Sequence, residues 1–163
     1  MALFMVTERS DAPRPAAVIT SPAEPVIPTS GHKVVFAGTA RDCAAHLPIV
    51  LANIERLSAL FSNSAFVFVE NDSADATRQL LVQWGAGRPR FWYFDLSGLG
   101  QVPVRTLRLE YARNVYLEFI RADSVFADFD TLCIVDMDEI GAHPVTVICD
   151  GAIAVPVKPV WKK

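Results

Sequence analysis

Short apolar runs alternate with longer amphipathic stretches along the central part of the chain. Four runs have the length and the β-branched or aromatic content of buried strands. They lie at residues 34–38, 66–69, 90–94 and 131–135. Between them, apolar residues recur at helical spacing, as Leu51, Ile54 and Leu57 do. Strands that alternate with helices of this length predict βαβ units on a parallel sheet with right-handed crossovers.

Local signals mark the ends of the predicted helices. Pro48 suits the first turn of one helix, Asp75 is a capping residue type at the start of a second, and Gly85 would end that helix. A third helix is predicted over residues 107–121. The expected fold class is therefore α/β, with a mostly parallel sheet flanked by helices.

Composition divides the chain into two parts. Residues 1–31 hold five of the eleven prolines among Ala, Ser and Thr, which predicts a mobile leader before a folded domain at 32–163. The chain is 52% hydrophobic and 20% charged, as globular domains are. Its net charge of -3 argues against non-specific nucleic-acid binding.

Cysteine usage and hydropathy indicate the compartment. The three cysteines are widely spaced and form no CxxC pair, which is typical of reduced thiols in a cytoplasmic protein. No run of 18 apolar residues occurs, so no transmembrane segment is expected. Peripheral contact with a membrane stays open.

Polar residues follow three of the predicted strands, where ligands bind to open parallel sheets. They are Arg41 and Asp42, then Glu70, Asn71 and Asp72, and finally Asp136 and Asp138. Asp136 and Asp138 are two residues apart, so in extended chain both carboxylates lie on one face. Two such charges repel each other unless a cation such as Mg²⁺ or Mn²⁺ joins them; the alternative, equally compatible with these two residues, is a solvated acidic loop.

Other charged residues suit a nucleotide. Arg105, Arg108 and Arg113 bring three guanidinium groups into nine residues, and arginine matches phosphate oxygens in bidentate fashion; the alternative is a solvated basic face. Glu70 and Asp72 can accept hydrogen bonds from a base or ribose, or else serve the turn that follows the strand.

Three segments together resemble family 2-like glycosyltransferases. Residues 69–77, VENDSADAT, resemble the VDDGSTDGT segment of that family; residues 112–114, ARN, resemble its ARN segment; and residues 134–138, IVDMD, resemble its metal motif. The span from Lys33 to Glu139 is also similar to capsule-associated mannosyltransferase-like proteins of the GT-A superfamily.

The resemblance implies a GT-A, Rossmann-like fold, a nucleotide-diphosphosugar donor, a carbohydrate or glycan acceptor and a divalent metal. It makes Arg41, Glu70, Asp72, Arg113 and Asp136 donor-binding residues, and Asp136 and Asp138 metal ligands. The 25 residues from 139 to 163 are fewer than an acceptor half takes. The expectation is thus a transferase domain lacking most of that half, with no identifiable general base.

Two other functions fit parts of the pattern. One is a catalytically incomplete nucleotide-sugar-binding remnant of the same fold. The other is a haloacid-dehalogenase-type phosphatase, whose paired aspartates also follow an apolar strand, one of them as nucleophile. In that family, however, the motif usually opens the domain, and here it follows the fourth predicted strand.

Overall fold

The structure, a computed structural model, describes residues 31–139 and 141–142. This part of the chain contains four strands and three α-helices in alternation. They are β1 (Lys33–Ala40), α1 (Leu47–Ser58), β2 (Asn63–Glu70), α2 (Thr77–Gly85), β3 (Phe91–Asp95), α3 (Arg105–Ala122) and β4 (Thr131–Asp136). Short 3-10 turns at Leu99–Gln101 and Ser124–Phe126 flank α3. The predicted α/β class is confirmed.

All strand pairings in the described sheet are parallel, and the strand order is β3-β2-β1-β4. β1 and β2 are the inner strands and are almost wholly buried, which explains why their sequences lack polar alternation. β4 pairs with β1 from Val34↔Thr131 to Thr39↔Asp136. The sheet therefore grows in one direction from β1 to β3 and in the other direction to β4.

The two faces of the sheet bury separate apolar clusters. Phe36 and Phe68 face α1 and α2, where Leu47, Ile54 and Leu81 pack on them. The opposite face carries the alternate residues of the same strands, including Val35 and Val67, and α3 covers it with Ala112 and Tyr116. Helices on both faces of a parallel sheet give a Rossmann-like architecture.

The element boundaries differ from the predicted ones at several ends. Helical spacing also predicts Leu60 on the apolar face of the first helix, but α1 stops at Ser58, so Leu60 lies beyond the helix and is exposed. Ala76, not Asp75, directly precedes α2, yet an Asp75 carboxylate oxygen accepts the Thr77 N–H at 2.9 Å and so caps the helix from one residue earlier. The predicted leader, apart from Gly31, and residues 143–163 lie outside the described residues.

Candidate functional site

A polar cleft of about 240 Å³ lies at the carboxyl ends of β1 and β4. This is where the strand order reverses, the position at which open α/β sheets bind ligands. Its lining combines four arginines, three aspartates and an asparagine. These polar residues are Arg41, Asp42, Asn71, Arg105, Arg108, Arg113, Asp136 and Asp138. The structure thus brings together Arg41, Arg113, Asp136 and Asp138 from the predicted site.

Reciprocal hydrogen bonds join the loop after β1 to the loop after β2. The Asp42 N–H donates to Ser73 Oγ at 3.1 Å, and the Ala74 N–H donates back to Asp42 Oδ1 at 2.7 Å. Asp42 has φ +48°, a left-handed conformation that aspartate tolerates better than most residues. One residue on, the Cys43 N–H donates to the buried Thr77 hydroxyl at 2.8 Å. These bonds fix the backbone that carries Arg41 and Asp42 at the cleft.

Asp72 is placed outside the lining of the cleft and holds a different loop. Its carboxylate accepts hydrogen bonds from the Gly98 N–H at 2.6 Å and the Gly100 N–H at 2.5 Å. These two donors lower the pKa of Asp72, and Arg41 adds a smaller effect in the same direction. Asp72 therefore anchors the connection from β3 to α3, which leads directly to Arg105 on α3.

Glu70, the other predicted base or ribose contact, is completely buried. Its carboxylate accepts from the Ser73 N–H at 2.7 Å, from Arg78 Nε at 3.0 Å and from the Tyr93 hydroxyl at 3.2 Å. In this conformation no part of the side chain is exposed to a ligand. Its contacts make it a support for the turn after β2, and it too lies outside the cleft lining.

The arginine side of the cleft comes from the first half of α3. Arg105, Arg108 and Arg113 line the cleft together with Leu109, because spacings of three, four and eight residues return to one side of a helix. Among the described residues, none of these three arginines takes part in an ion pair. Arg108 Nη1 instead donates to the Val102 carbonyl at 2.5 Å.

The acidic side of the cleft comes from the end of β4. Asp136 and Asp138 are exposed, whereas Met137 between them is 2% exposed and packs in the core. Gly38 on β1 makes room for Met137: a Cβ there would lie 2.9 Å from the methionine side chain. The alternation of exposed, buried and exposed residues matches the predicted common face of the two carboxylates.

The donor set of the cleft fits a magnesium-like ion that shares its coordination with phosphate. Such ions are held by one or two carboxylates, with phosphate oxygens and water completing the octahedron, and Asp136 and Asp138 provide two. Within residues 31–139 and 141–142, no three His, Cys, Asp or Glu side chains form a metal-binding group.

Two buried side chains near the charged residues of the cleft, Tyr116 and Cys43, have raised pKa values. Burial raises the pKa of the Tyr116 hydroxyl; the positive charge of Arg113 opposes this shift and the negative charge of Asp136 adds to it. Both charges therefore act at the same end of the Tyr116 side chain. Burial is also the largest cause of the raised pKa of Cys43, which lines the cleft as a neutral thiol.

Asn71, one of the polar residues expected at the ligand-binding edge of the sheet, lines the cleft, although the sequence assigned it no specific binding role. It is 8% exposed and lines the cleft, and its side-chain amide makes no hydrogen bond within the described residues. Because no buried polar side-chain atom of the described residues lacks a partner, the Asn71 amide is open to solvent in the cleft, where it can donate to and accept from a ligand. Strand alternation was the available signal, since Asn71 follows Glu70 and projects to the other side of β2.

Comparisons with known proteins add no family. No protein-family model matches this chain, and no curated protein is significantly similar to it. In the described part of the chain, no helix is both long and apolar enough to cross a bilayer.

Proposed function

We propose that this chain is a glycosyltransferase domain of the GT-A type, which binds a nucleotide-diphosphosugar and transfers the sugar to a carbohydrate or glycan acceptor. The observation that carries the proposal is the composition of one cleft. Asp136 and Asp138 face the arginines of α3 across the point where the strand order reverses. A diphosphate needs cationic partners, and a divalent ion needs oxygen ligands beside it. The resemblance of residues 69–77, 112–114 and 134–138 to family 2-like transferases supports the same function.

The proposed roles follow from position in the cleft. Asp136 and Asp138 would hold Mn²⁺ or Mg²⁺, and Arg113 and Arg41 would bind the diphosphate. The Asn71 amide, which both donates and accepts, would contact the nucleoside. Glu70 and Asp72 keep supporting roles, because their carboxylates are already bonded to neighbouring loops.

These residues would favour departure of the nucleoside diphosphate. When bound, a divalent cation supplies Lewis-acid neutralisation of the charge that develops on the leaving group. Arg113 stabilises the same charge with a charge-assisted hydrogen bond, provided the guanidinium is already oriented before reaction. We assign no described residue as the general base.

Titration of the full chain with UDP-, GDP- and other sugar nucleotides, with and without Mn²⁺, tests this function. In calorimetry, Asp138→Ala should abolish the Mn²⁺-dependent part of the affinity while leaving the thermal unfolding midpoint close to wild type, because Asp138 is exposed. Asp128→Ala is the matched control, since the Asp128 side chain is 81% exposed and contacts Lys33 away from the cleft. Equal metal-dependent affinity in the two variants would remove the metal role of Asp138.

Product analysis separates the transferase from its alternatives. Metal-dependent release of sugar from the donor supports the transferase. Binding without release supports a catalytically incomplete sugar-nucleotide-binding domain, and release of phosphate from simple esters supports a phosphatase. Absence of sugar-nucleotide binding under every condition would overturn the proposal.

A further inference from the structure

An asparagine lies on the buried face of α1, where apolar residues are expected. Asn53 is 4% exposed and its neighbours Val50 and Ile54 belong to the core. Burying an amide among such residues is unfavourable unless it is hydrogen-bonded. Asn53 Nδ2 donates to the backbone carbonyl of Gly141 at 3.1 Å, a contact 88 positions away in sequence. The amide therefore connects α1 to the segment that follows β4.

That segment folds back tightly on the end of β4. A Cβ at Gly141 would lie 1.8 Å from the Asp136 carbonyl oxygen and 3.4 Å from the Val50 side chain. The Ala142 N–H donates to the Glu139 carbonyl at 3.2 Å, and Ala142 packs against the core. Only glycine allows so close an approach of position 141 to the Asp136 backbone.

The turn is therefore anchored on both sides of Asp138. Before it, the buried Met137 fits against Gly38; after it, Gly141 is held by Asn53 and by contact with Asp136. Asp138 projects into the cleft from between these anchors. A ligand fixed in this way loses less conformational freedom when it binds a cation.

We infer that Asn53 is a positioning residue for the acidic pair: its hydrogen bond to Gly141 presets the turn that presents Asp138 and thereby sets the divalent-metal affinity of the cleft. The inference rests on the proposed metal-dependent nucleotide binding. Asn53 touches neither metal nor nucleotide and acts through the backbone of the turn. Mutation of the residues that hold metal ligands in place typically lowers metal affinity about 10- to 100-fold.

The test measures Mn²⁺ affinity of the full chain by electron paramagnetic resonance in the presence of saturating UDP, or of whichever nucleoside diphosphate wild type binds. Asn53→Leu has the same number of side-chain heavy atoms, a larger volume and no donor, so it removes the hydrogen bond without leaving a cavity. Its Mn²⁺ affinity should fall about tenfold, whereas the affinity for nucleotide without metal should not change. Gly141→Ala is the second variant and should give the same selective loss, because its Cβ displaces the turn.

Leu51→Ala controls for stability alone. Leu51 is a core residue of the same helix, 4% exposed and without a role in the turn, so its variant should unfold more easily but keep wild-type Mn²⁺ affinity. Unchanged Mn²⁺ affinity in Asn53→Leu and Gly141→Ala would overturn the positioning role while leaving the proposed function intact. A wild-type chain that binds no Mn²⁺ with nucleotide would overturn both. Equal losses in Leu51→Ala and Asn53→Leu would reduce Asn53 to a structural residue.

Discussion

Glu70 at the end of β2 and Asp138 just after β4 carry the same functional group, a carboxylate, but differ in burial and therefore in role. Glu70 is fully buried and has partners in Ser73, Arg78 and Tyr93, whereas Asp138 is exposed at the cleft. A buried carboxylate is stable only when it is paired and hydrogen-bonded. Burial, followed by the charge of Glu70, raises the pKa of Tyr93 to about 12, so this tyrosine stays a neutral donor. Glu70 is therefore a structural anchor.

Arg113 carries the most direct prediction at the scale of one residue. Arg113→Ala should weaken binding of a nucleoside diphosphate by about 1.5–3 kcal/mol, because a charge-assisted hydrogen bond to phosphate is lost. Titration calorimetry measures the change. Arg121→Ala serves as control, since Arg121 is an exposed arginine in the last turn of the same helix, away from the cleft. Equal affinity in the two variants would make Arg113 a solvated surface residue.

At the scale of elements, the contact between α2 and β3 depends on the absence of a side chain. A Cβ at Gly85, the last residue of α2, would lie 2.0 Å from the ring of Phe91. That ring is held between Phe68 and Trp84, so it has little freedom to move aside. The ring contacts among Phe68, Trp84 and Phe91 thus determine how closely α2 packs on the edge strand β3.

Gly85→Ala should lower the free energy of unfolding. Overpacking of a buried site costs about 1–3 kcal/mol. Alanine gains at most ~1 kcal/mol of helix propensity over glycine in a helix interior, and less at the last position of α2, so the packing cost dominates. Urea denaturation followed by circular dichroism gives the difference. Gly31→Ala is the control, because a Cβ at Gly31 meets no atom of the described residues within 4 Å. A Gly85 variant as stable as the control would show that Phe91 repacks freely.

At the scale of the whole molecule, hydrogen-bonded carboxylates tie the loops around the cleft. Donors at Gly98 and Gly100 lower the pKa of Asp72 from its ordinary 3.8. For Asp75, partial burial raises the pKa, but hydrogen bonds from Thr77 and Ala44 outweigh it and the net shift is downward. A lowered folded-state pKa contributes stability above the unfolded value, and this contribution disappears as pH falls through the folded value.

The chain should therefore lose stability as pH falls below about 4, the ordinary range of these carboxyls. Chemical denaturation at pH 7 and pH 3 measures the loss. Asp72→Asn and Asp75→Asn should each reduce the difference between the two pH values, because an amide does not titrate. Asp128→Asn, at an exposed position, should leave the difference unchanged. Identical pH dependence in all three variants would remove Asp72 and Asp75 as the source.

The strands and helices follow from local pattern. Val34 to Gly38 is a continuous apolar run, as a strand buried on both faces requires, and it forms the inner strand β1. Thr131 to Val135 is nearly as apolar and forms β4, which is partly buried among the described residues. Asp136 and Asp138 were expected on one side of extended chain because side chains alternate with a period of two. The sequence by itself thus determined the α/β class and the joint presentation of these carboxylates.

Tertiary structure alone decided which polar residues face the cleft. Glu70, Asn71 and Asp72 are consecutive but have different surroundings. Glu70 is buried and accepts a hydrogen bond from Arg78, Asn71 lines the cleft, and Asp72 accepts hydrogen bonds from the loop before α3. Their partners lie up to 28 positions away, and no local periodicity records such contacts. The bond from Asn53 to Gly141 spans 88 positions for the same reason. Hydrogen-bond partners are fixed by the packing of whole elements, whereas strand and helix formation depends on neighbours in sequence.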